Sequence, residues 1–507
     1  MLAPDYLDHA PDRLILLWQQ VEDEILQDVA RRIGKMDALT PTANWQLWRY
    51  QQTEAVRKNV VNLLARYTGK SEVEIRRLMQ EAATAALEAE DEIYYHYGKE
   101  PTPFEESAPL QNLLNAGYRQ TAGSFSNLTA TTANTVSGAF EQALDRAWLQ
   151  VSSGAFDYKT AVKRAVDGLA DSMPYVTYPS GHRDTLEVAC RRAVLTGVNQ
   201  TGAKLQEARM DEMGASFVEV TAHGRARPSH AVWQGRRYHR GGAVDYLGQH
   251  YEDFESATGY GTGAGLCGWN CRHQFFSVFP ELGAPPAWTQ ESLEALNARD
   301  IEYDGRLYTR YEISQMQRAR ERAVRKWKRR YLAEDAAGAD TTASAVKLRQ
   351  ARQSLADFTR ATGGRVDSAR TSVHGFGRSE GSKASYAARK QERFNAANTE
   401  LQQMREAGTI KAKGRLIESP SAPNEINFAS DHVLQRWAER GMGPMDAERI
   451  IRSSKVAMSQ RNGTQTCYYS ELGFVAIGQD GNVSSIGPLD EGGKKLMEVV
   501  KKHGIPH

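Results

Sequence analysis

Gly263-Ala264-Gly265-Leu266-Cys267-Gly268-Trp269-Asn270-Cys271-Arg272-His273 puts two of the chain's four cysteines, a histidine and a tryptophan into one glycine-rich loop. Upstream, Thr221-Ala222-His223-Gly224-Arg225-Ala226-Arg227-Pro228-Ser229-His230 leads into Trp233-Gln234-Gly235. A strand delivers the chain to His223, because Phe217-Val218-Glu219-Val220-Thr221 alternates apolar and polar residues. From His223 to about Pro280 the chain is rich in Gly, Tyr and Trp and poor in helix signals, so residues 216–285 read as a small irregular α+β module closed by Pro285-Pro286. Such a module has little apolar mass, and a metal can replace the missing core. His223, His230, Cys267, Cys271 and His273 offer enough sulfur and imidazole for a structural zinc ion, which favours tetrahedral sets of these ligands. The C-x3-C-x-H spacing matches no common zinc motif. A thiolate at Cys267 or Cys271 with His230 as base is a second chemistry for the same residues. Packing of His and Cys beside Trp is a third reading.

The flanks are helical. With 507 residues the chain exceeds the about 250–300 that one core supports, so three or more domains are expected. Residues 1–110 read as helical hairpins: Leu14, Leu17, Trp18, Val21, Ile25, Val29 and Ile33 recur at helical spacing until Gly34. Thr40 with Pro41 opens a second helix, Gly69 ends a run, and Ser71-Glu72-Val73-Glu74 forms a capping box for the next. Residues 111–215 continue helical, although Thr121 to Ser137 is so rich in Ser, Thr and Asn that it reads as loop in isolation and as a polar helix in helical company. Residues 286–362 form a basic helical region, in which Arg318, Arg320, Arg322, Arg325, Lys326, Lys328, Arg329 and Arg330 crowd a few turns. Residues 363–420 read as a linker or arm followed by a polar helix. Lys and Arg total 64 against 62 Asp and Glu, so global charge does not argue for nucleic acid. No apolar run approaches the about 18–20 residues of a membrane span, so no membrane anchor is expected. The N-terminus does not read as a signal peptide. Cys190, Cys267, Cys271 and Cys467 are too sparse for a disulfide scaffold, and synthesis in a reducing cytoplasm is the expectation.

Residues 421–507 read differently. Ser430 or Asp431 caps a helix that carries His432, Arg436 and Arg440 on one face. A short helix from Pro444 to Ser453 follows, then four β-runs: 455–458, 465–469, 474–477 and 482–486. Arg461-Asn462-Gly463 and Gln479-Asp480-Gly481 are hairpin turn signals between them. A last helix spans about Glu491 to Lys502. The fold class is therefore multidomain, with a mainly α N-terminal part, the irregular module, and a C-terminal α+β domain built on a four-stranded antiparallel meander.

Over roughly residues 1–370 the order of elements resembles phage minor capsid proteins of the Mu F-like group. The likeness rests on Arg227-Pro228-Ser229-His230, Trp233-Gln234-Gly235, Gly259-Tyr260-Gly261-Thr262-Gly263, Cys267 to His273, the helix with Tyr311, Gln315, Arg318 and Arg325, and Val373, Gly375, Phe376 and Gly377. It implies a virion protein in the capsid interior at the portal vertex, with phage portal and capsid proteins as partners. In that setting Arg318, Arg322, Arg325, Lys326, Arg329 and Arg330 are candidates to replace counterions on packaged DNA, with a solvated, acid-paired helix face as the alternative. The C-terminal domain resembles the barnase/EndoU/colicin/RelE-like nuclease fold through His432-x3-Arg436-x3-Arg440-Gly441 and the strands after it. That resemblance implies a metal-independent ribonuclease acting on host RNA, or else a nucleic-acid-binding module. His432 would be base or acid and Arg436 and Arg440 would hold the phosphate, with Lys455, Arg461, Tyr468, Tyr469 and Ser485 as further candidates on the sheet. None of the four β-runs carries a glutamate of the kind barnase has on its sheet.

Overall fold

Leu14, Trp18, Val21, Ile25, Val29 and Ile33 line the buried face of helix α2 (Asp12–Ile33), as their spacing requires. In the computed structural model α2 joins a bundle with α3 (Thr42–His96), α4 (Ala108–Ser152), α5 (Tyr158–Ser172) and α6 (Leu186–Met213), preceded by the short α1 (Pro4–His9). The structure describes residues 1–36, 42–173, 176–178, 181–420, 426–428, 435 and 437–506, without the side chains of 42, 43, 126–131 and 172. The Thr40–Pro41 helix start lies outside the described residues.

The break expected at Gly69 does not occur, and α3 runs unbroken for 55 residues. Ser71 is buried rather than capping. Its hydroxyl donates to the Tyr67 carbonyl one turn back at 2.8 Å and accepts from the Trp18 indole at 3.0 Å, which ties α3 to α2. Gly69 is exposed, and a Cβ there would meet nothing within 4 Å. Gly69→Ala is therefore expected to stabilise the protein by about 0.5–1 kcal/mol, read as a higher urea midpoint. The polar stretch from Thr121 to Ser137 is helix, inside α4. Around its start α4 and α6 approach closely at two glycines. A Cβ on Gly197 of α6 would lie 2.1 Å from Thr121 Oγ1, and one on Gly117 of α4 would lie 2.1 Å from Thr201 Oγ1.

Past a two-stranded ribbon of β1 (Val176–Thr177) and β2 (Arg183–Asp184), α6 leads to the central module. There β3 (Phe217–Val220) is the middle of a three-stranded antiparallel sheet, with α7 (Pro228–Ala231) and β4 (Arg237–His239) following it. A hairpin of β5 (Val244–Tyr246) and β6 (Gln249–Tyr251), helix α8 (Phe254–Thr258) and the glycine loop lead to β7 (Phe275–Val278), which pairs with the other edge of β3. The module packs on α3 and α6 through Tyr94, Ala203 and Met210. Helix α9 (Gln290–Asn297) and the hairpin β8 (Arg299–Tyr303), β9 (Arg306–Thr309) then reach the basic helix α10 (Arg310–Ala336), opened by a capping box of Thr309 and Glu312. Helix α11 (Thr342–Ala361) returns along it. Residues 363–387, expected as linker or arm, hold α12 (Ser368–Thr371) and the start of α13 (Arg378–Glu406).

The chain forms two compact units, Met1–Glu380 and Gly381–His507. The second is built on β10 (Arg415–Glu418), α14 (Pro444–Ser453), β11 (Val456–Gln460), β12 (Gln465–Ser470), β13 (Gly473–Gly478), β14 (Val483–Gly487) and α15 (Glu491–Lys502). The four-stranded meander expected there is corrected to a five-stranded antiparallel sheet, in the order β10-β11-β12-β13-β14. Residues 415–418 carry only two apolar side chains and give no strand signal alone. Tertiary pairing makes them a strand: β11 bonds one edge, and Asn398 bonds both the N–H and the carbonyl of Leu416 at 2.7 and 2.9 Å. The turn residues read from sequence hold, since Asn462, Gly463 and Gly481 all take positive φ. Both faces of the sheet are covered. Val456, Met458, Cys467 and Tyr469 pack with Phe394, Leu401, Leu496 and Val500 on one face. Ala457, Tyr468, Val475 and Ile477 pack with Trp437, Ile450 and Ile451 on the other.

Candidate functional site

Strand pairing assembles the site. β3 ends just before His223 and β7 begins just after His273, so these two residues leave neighbouring strands side by side, their rings stacked with centroids 4.5 Å apart. Helix α7 supplies His230, and the loop before β7 supplies Cys271. Three ligand atoms converge. His230 Nδ1 and His273 Nδ1 lie 3.4 Å apart, and Cys271 Sγ lies 3.7 Å from the first and 3.6 Å from the second. All three residues are buried.

The loop that carries Cys271 is forced into its path. Cys267 and Asn270 both take positive φ, at 58° and 54°. Gly265 passes so close to Gly259 that a Cβ would sit 2.0 Å from the Gly259 carbonyl oxygen. Gly265→Ala is expected to cost about 3 kcal/mol through this overpacking, measured by urea unfolding. Asn199 of α6 fastens the loop from below, donating to the carbonyls of Cys271 at 2.9 Å and His273 at 3.2 Å. Gln274 in turn donates to the Asn199 carbonyl at 2.7 Å.

Burial holds these groups uncharged. It pushes the His223 and His230 imidazoles down to about 4 and His273 well below its ordinary value, with neighbouring Arg and His charges adding to the effect on His223 and His273. Burial also pushes the Cys267 and Cys271 thiols up. A reactive cysteine has the opposite shift. Of the five metal candidates, His230, Cys271 and His273 meet at one point. Cys267 Sγ points to the His273 carbonyl at 3.5 Å and stands outside the convergent set. His223 Nδ1 accepts the Arg225 N–H at 3.2 Å, while its buried Nε2 has no hydrogen-bond partner among the described residues. The cluster lines a cavity of 400 Å³ together with Arg191, Arg225, Arg272 and Arg318. Asn199, which holds the loop, carries no motif of its own in the sequence, and Gln234 stands in the quoted Trp233-Gln234-Gly235 stretch without being singled out as a site residue.

The basic helix α10 is turned inward. Arg329 bonds the buried Glu22 and Asp23 of α2 at 3.0 and 2.9 Å. Arg325 pairs with Glu187 of α6, and Arg330 with Asp167 and Asp171 of α5. Lys326 reaches Asp171 at 3.3 Å. Arg318 joins Arg225, Arg272 and Arg370 around the buried Asp8, at 3.7, 3.4, 3.0 and 3.4 Å respectively. Burial would raise the Asp8 carboxyl, but these arginines outweigh it and hold it below the ordinary carboxylate value. Burial, reinforced by Arg370 and Arg272, lowers Arg318 to about 10. Of the six DNA-contact candidates, Arg322 and Lys326 are exposed, and Arg322 has no acidic partner among the described residues. Among the described residues these cations form an internal lattice with acids from α1, α2, α5 and α6.

This bundle, irregular module and inward basic helix make up the part of the chain that a known family shares. The family model described as phage minor capsid protein 2 matches residues 2–360. The chain belongs to that family. No curated protein and no solved structure matches it. A phage minor capsid protein with structural virion partners is thus what residues 2–360 encode. No described helix is long and apolar enough to cross a membrane.

The C-terminal unit lies beyond the match. Its candidate residues His432 and Arg436, with Ser430 and Asp431, lie outside the described residues. The others lie on and around the sheet. Arg440 donates to the Ile486 carbonyl at 2.7 Å, Lys455 and Arg461 are exposed, Ser485 is half-buried, and Tyr468 and Tyr469 fill the cores on opposite faces of the sheet.

Proposed function

We propose that this minor capsid protein is a scaffold of the phage head, placed at the portal vertex in few copies, with its first unit docked among portal and capsid proteins. The inward basic helix carries this reading. The cations that would otherwise grip DNA are spent on Glu22, Asp23, Asp167, Asp171, Glu187 and Asp8, which makes α10 the tie of the bundle rather than an outward polyanion surface. Packaged DNA is left with exposed positions such as Arg322. The family match supports the virion role, and the portal position extends it by resemblance to the Mu F-like group. The C-terminal unit travels with the scaffold. A host-directed ribonuclease there would need His432 and Arg436, because the described sheet is covered on both faces.

An amber mutation in the gene tests the scaffold. Without suppression, heads are expected to be misassembled or unfilled in electron micrographs, with infectious yield restored by the wild-type chain supplied in trans. Normal particles and normal yield without the protein would overturn the proposal.

A further inference from the structure

The cluster at the ends of β3 and β7 presents more lone pairs than its own hydrogens can satisfy. His230 Nε2 lies 2.9 Å from the Ala264 carbonyl, which can only accept, so the imidazole proton sits on Nε2. His273 Nε2 lies 2.9 Å from Gln234 Oε1. That oxygen also accepts the His223 backbone N–H at 3.0 Å, which marks it as the acceptor end of the amide and puts the His273 proton on Nε2 as well. A neutral imidazole has one N–H. Both Nδ1 atoms are therefore bare lone pairs, and they face each other at 3.4 Å. Cys271 Sγ faces both, and a single S–H can serve only one of them. The same sulfur accepts the His273 backbone N–H at 3.4 Å.

We propose that His230 Nδ1, His273 Nδ1 and Cys271 Sγ bind one zinc ion, whose fourth position opens on the arginine-lined cavity. The spacing fits: Zn–N of about 2.0–2.1 Å and Zn–S of about 2.3 Å in a tetrahedron place N and N about 3.4 Å apart and N and S about 3.6 Å apart. The observed edges are 3.4, 3.6 and 3.7 Å. The outer contacts fit too, since ligating histidines donate their other N–H to a carbonyl or carboxylate. Here Ala264 and Gln234 accept them, and Asn199 fixes the loop. A sulfur with two imidazoles suits a borderline-soft ion and not magnesium or calcium. His223 is not a ligand, because its Nδ1 accepts an N–H and the proton is left on Nε2. Cys267 is not one either, since its sulfur is turned to the His273 carbonyl.

The test is the metal content of the full-length protein, purified without chelator, by inductively coupled plasma mass spectrometry. About one zinc per chain is expected. Cys271→Ser and His273→Gln should lose it, while Cys267→Ser and His223→Gln should keep it. Circular dichroism shows whether the ligand variants fold. If Cys271→Ser does not, cobalt(II) in chelator-stripped wild type carries the test: a tetrahedral spectrum with a thiolate-to-cobalt band is expected, and Cys271→His should keep cobalt but lose that band. A folded wild type that takes up neither metal overturns the proposal. So does full zinc content in Cys271→Ser, or loss of zinc in Cys267→Ser equal to that in Cys271→Ser.

Discussion

Arg329→Met is expected to lower the stability of the protein by about 3–5 kcal/mol at neutral pH, because it takes the nearest cation from two buried carboxylates at once. Arg329 is the cation within 3.0 Å of both Glu22 and Asp23, whose side chains are 0% and 3% exposed. Methionine keeps much of the stem's packing, so the loss is chiefly electrostatic. The effect has a pH signature. Burial already raises both carboxyls above their ordinary 4.5 and 3.8, and Arg329 is the strongest influence pulling them down. Removing it raises them further. A carboxyl whose folded value is raised favours the fold when protonated, and that contribution is lost as pH rises through the folded value. The deficit of Arg329→Met against wild type should therefore shrink on going from pH 8 to pH 5 in urea titrations. Arg322→Glu on the same helix should stay within about 0.5 kcal/mol. A pH-independent deficit, or equal losses in the two variants, would mean that α10 is not tied to α2 as described.

Asp8→Asn is the complementary change, removing the anion from a ring of cations. Asp8 has Arg225, Arg272, Arg318 and Arg370 within 3.0–3.7 Å and a side chain only 8% exposed. Asparagine keeps the shape but leaves the largely buried Arg272, Arg318 and Arg370 to repel one another, with the exposed Arg225 adding little. A loss of about 3–5 kcal/mol is expected, seen as a lower urea midpoint with an unchanged slope. Asp245→Asn is the control: its side chain is 84% exposed and paired with His250, and its loss should be within about 0.5 kcal/mol.

What was legible in the sequence was whatever short-range pattern controls. The apolar spacing of α2 and the alternation of β3 gave those elements directly, and Asn462-Gly463 gave its turn. Gly69 misled, because one exposed glycine is a small cost inside a helix of 55 residues held by tertiary packing. The edge strand β10 was hidden for the opposite reason, since its partners Ser459 and Asn398 are supplied from elsewhere in the chain. In the site, His230, Cys271 and His273 could be named as ligand types. That these three converge, and that Cys267 and His223 turn away, depends on the β3–β7 register and on the left-handed turns at Cys267 and Asn270. The run of cations in α10 left a nucleic-acid face and an acid-paired face both open in the sequence, because its partners Asp8, Glu22, Asp23, Asp167 and Glu187 are more than a hundred residues away.

The most direct test of the central claim, that this chain is a built-in part of the phage head, is quantitative mass spectrometry of purified, nuclease-treated particles. The account predicts the intact protein at a small, fixed number of copies relative to the major capsid protein, retained through density-gradient purification. Its absence from infectious particles, while it is abundant in the infected-cell lysate, would contradict the claim.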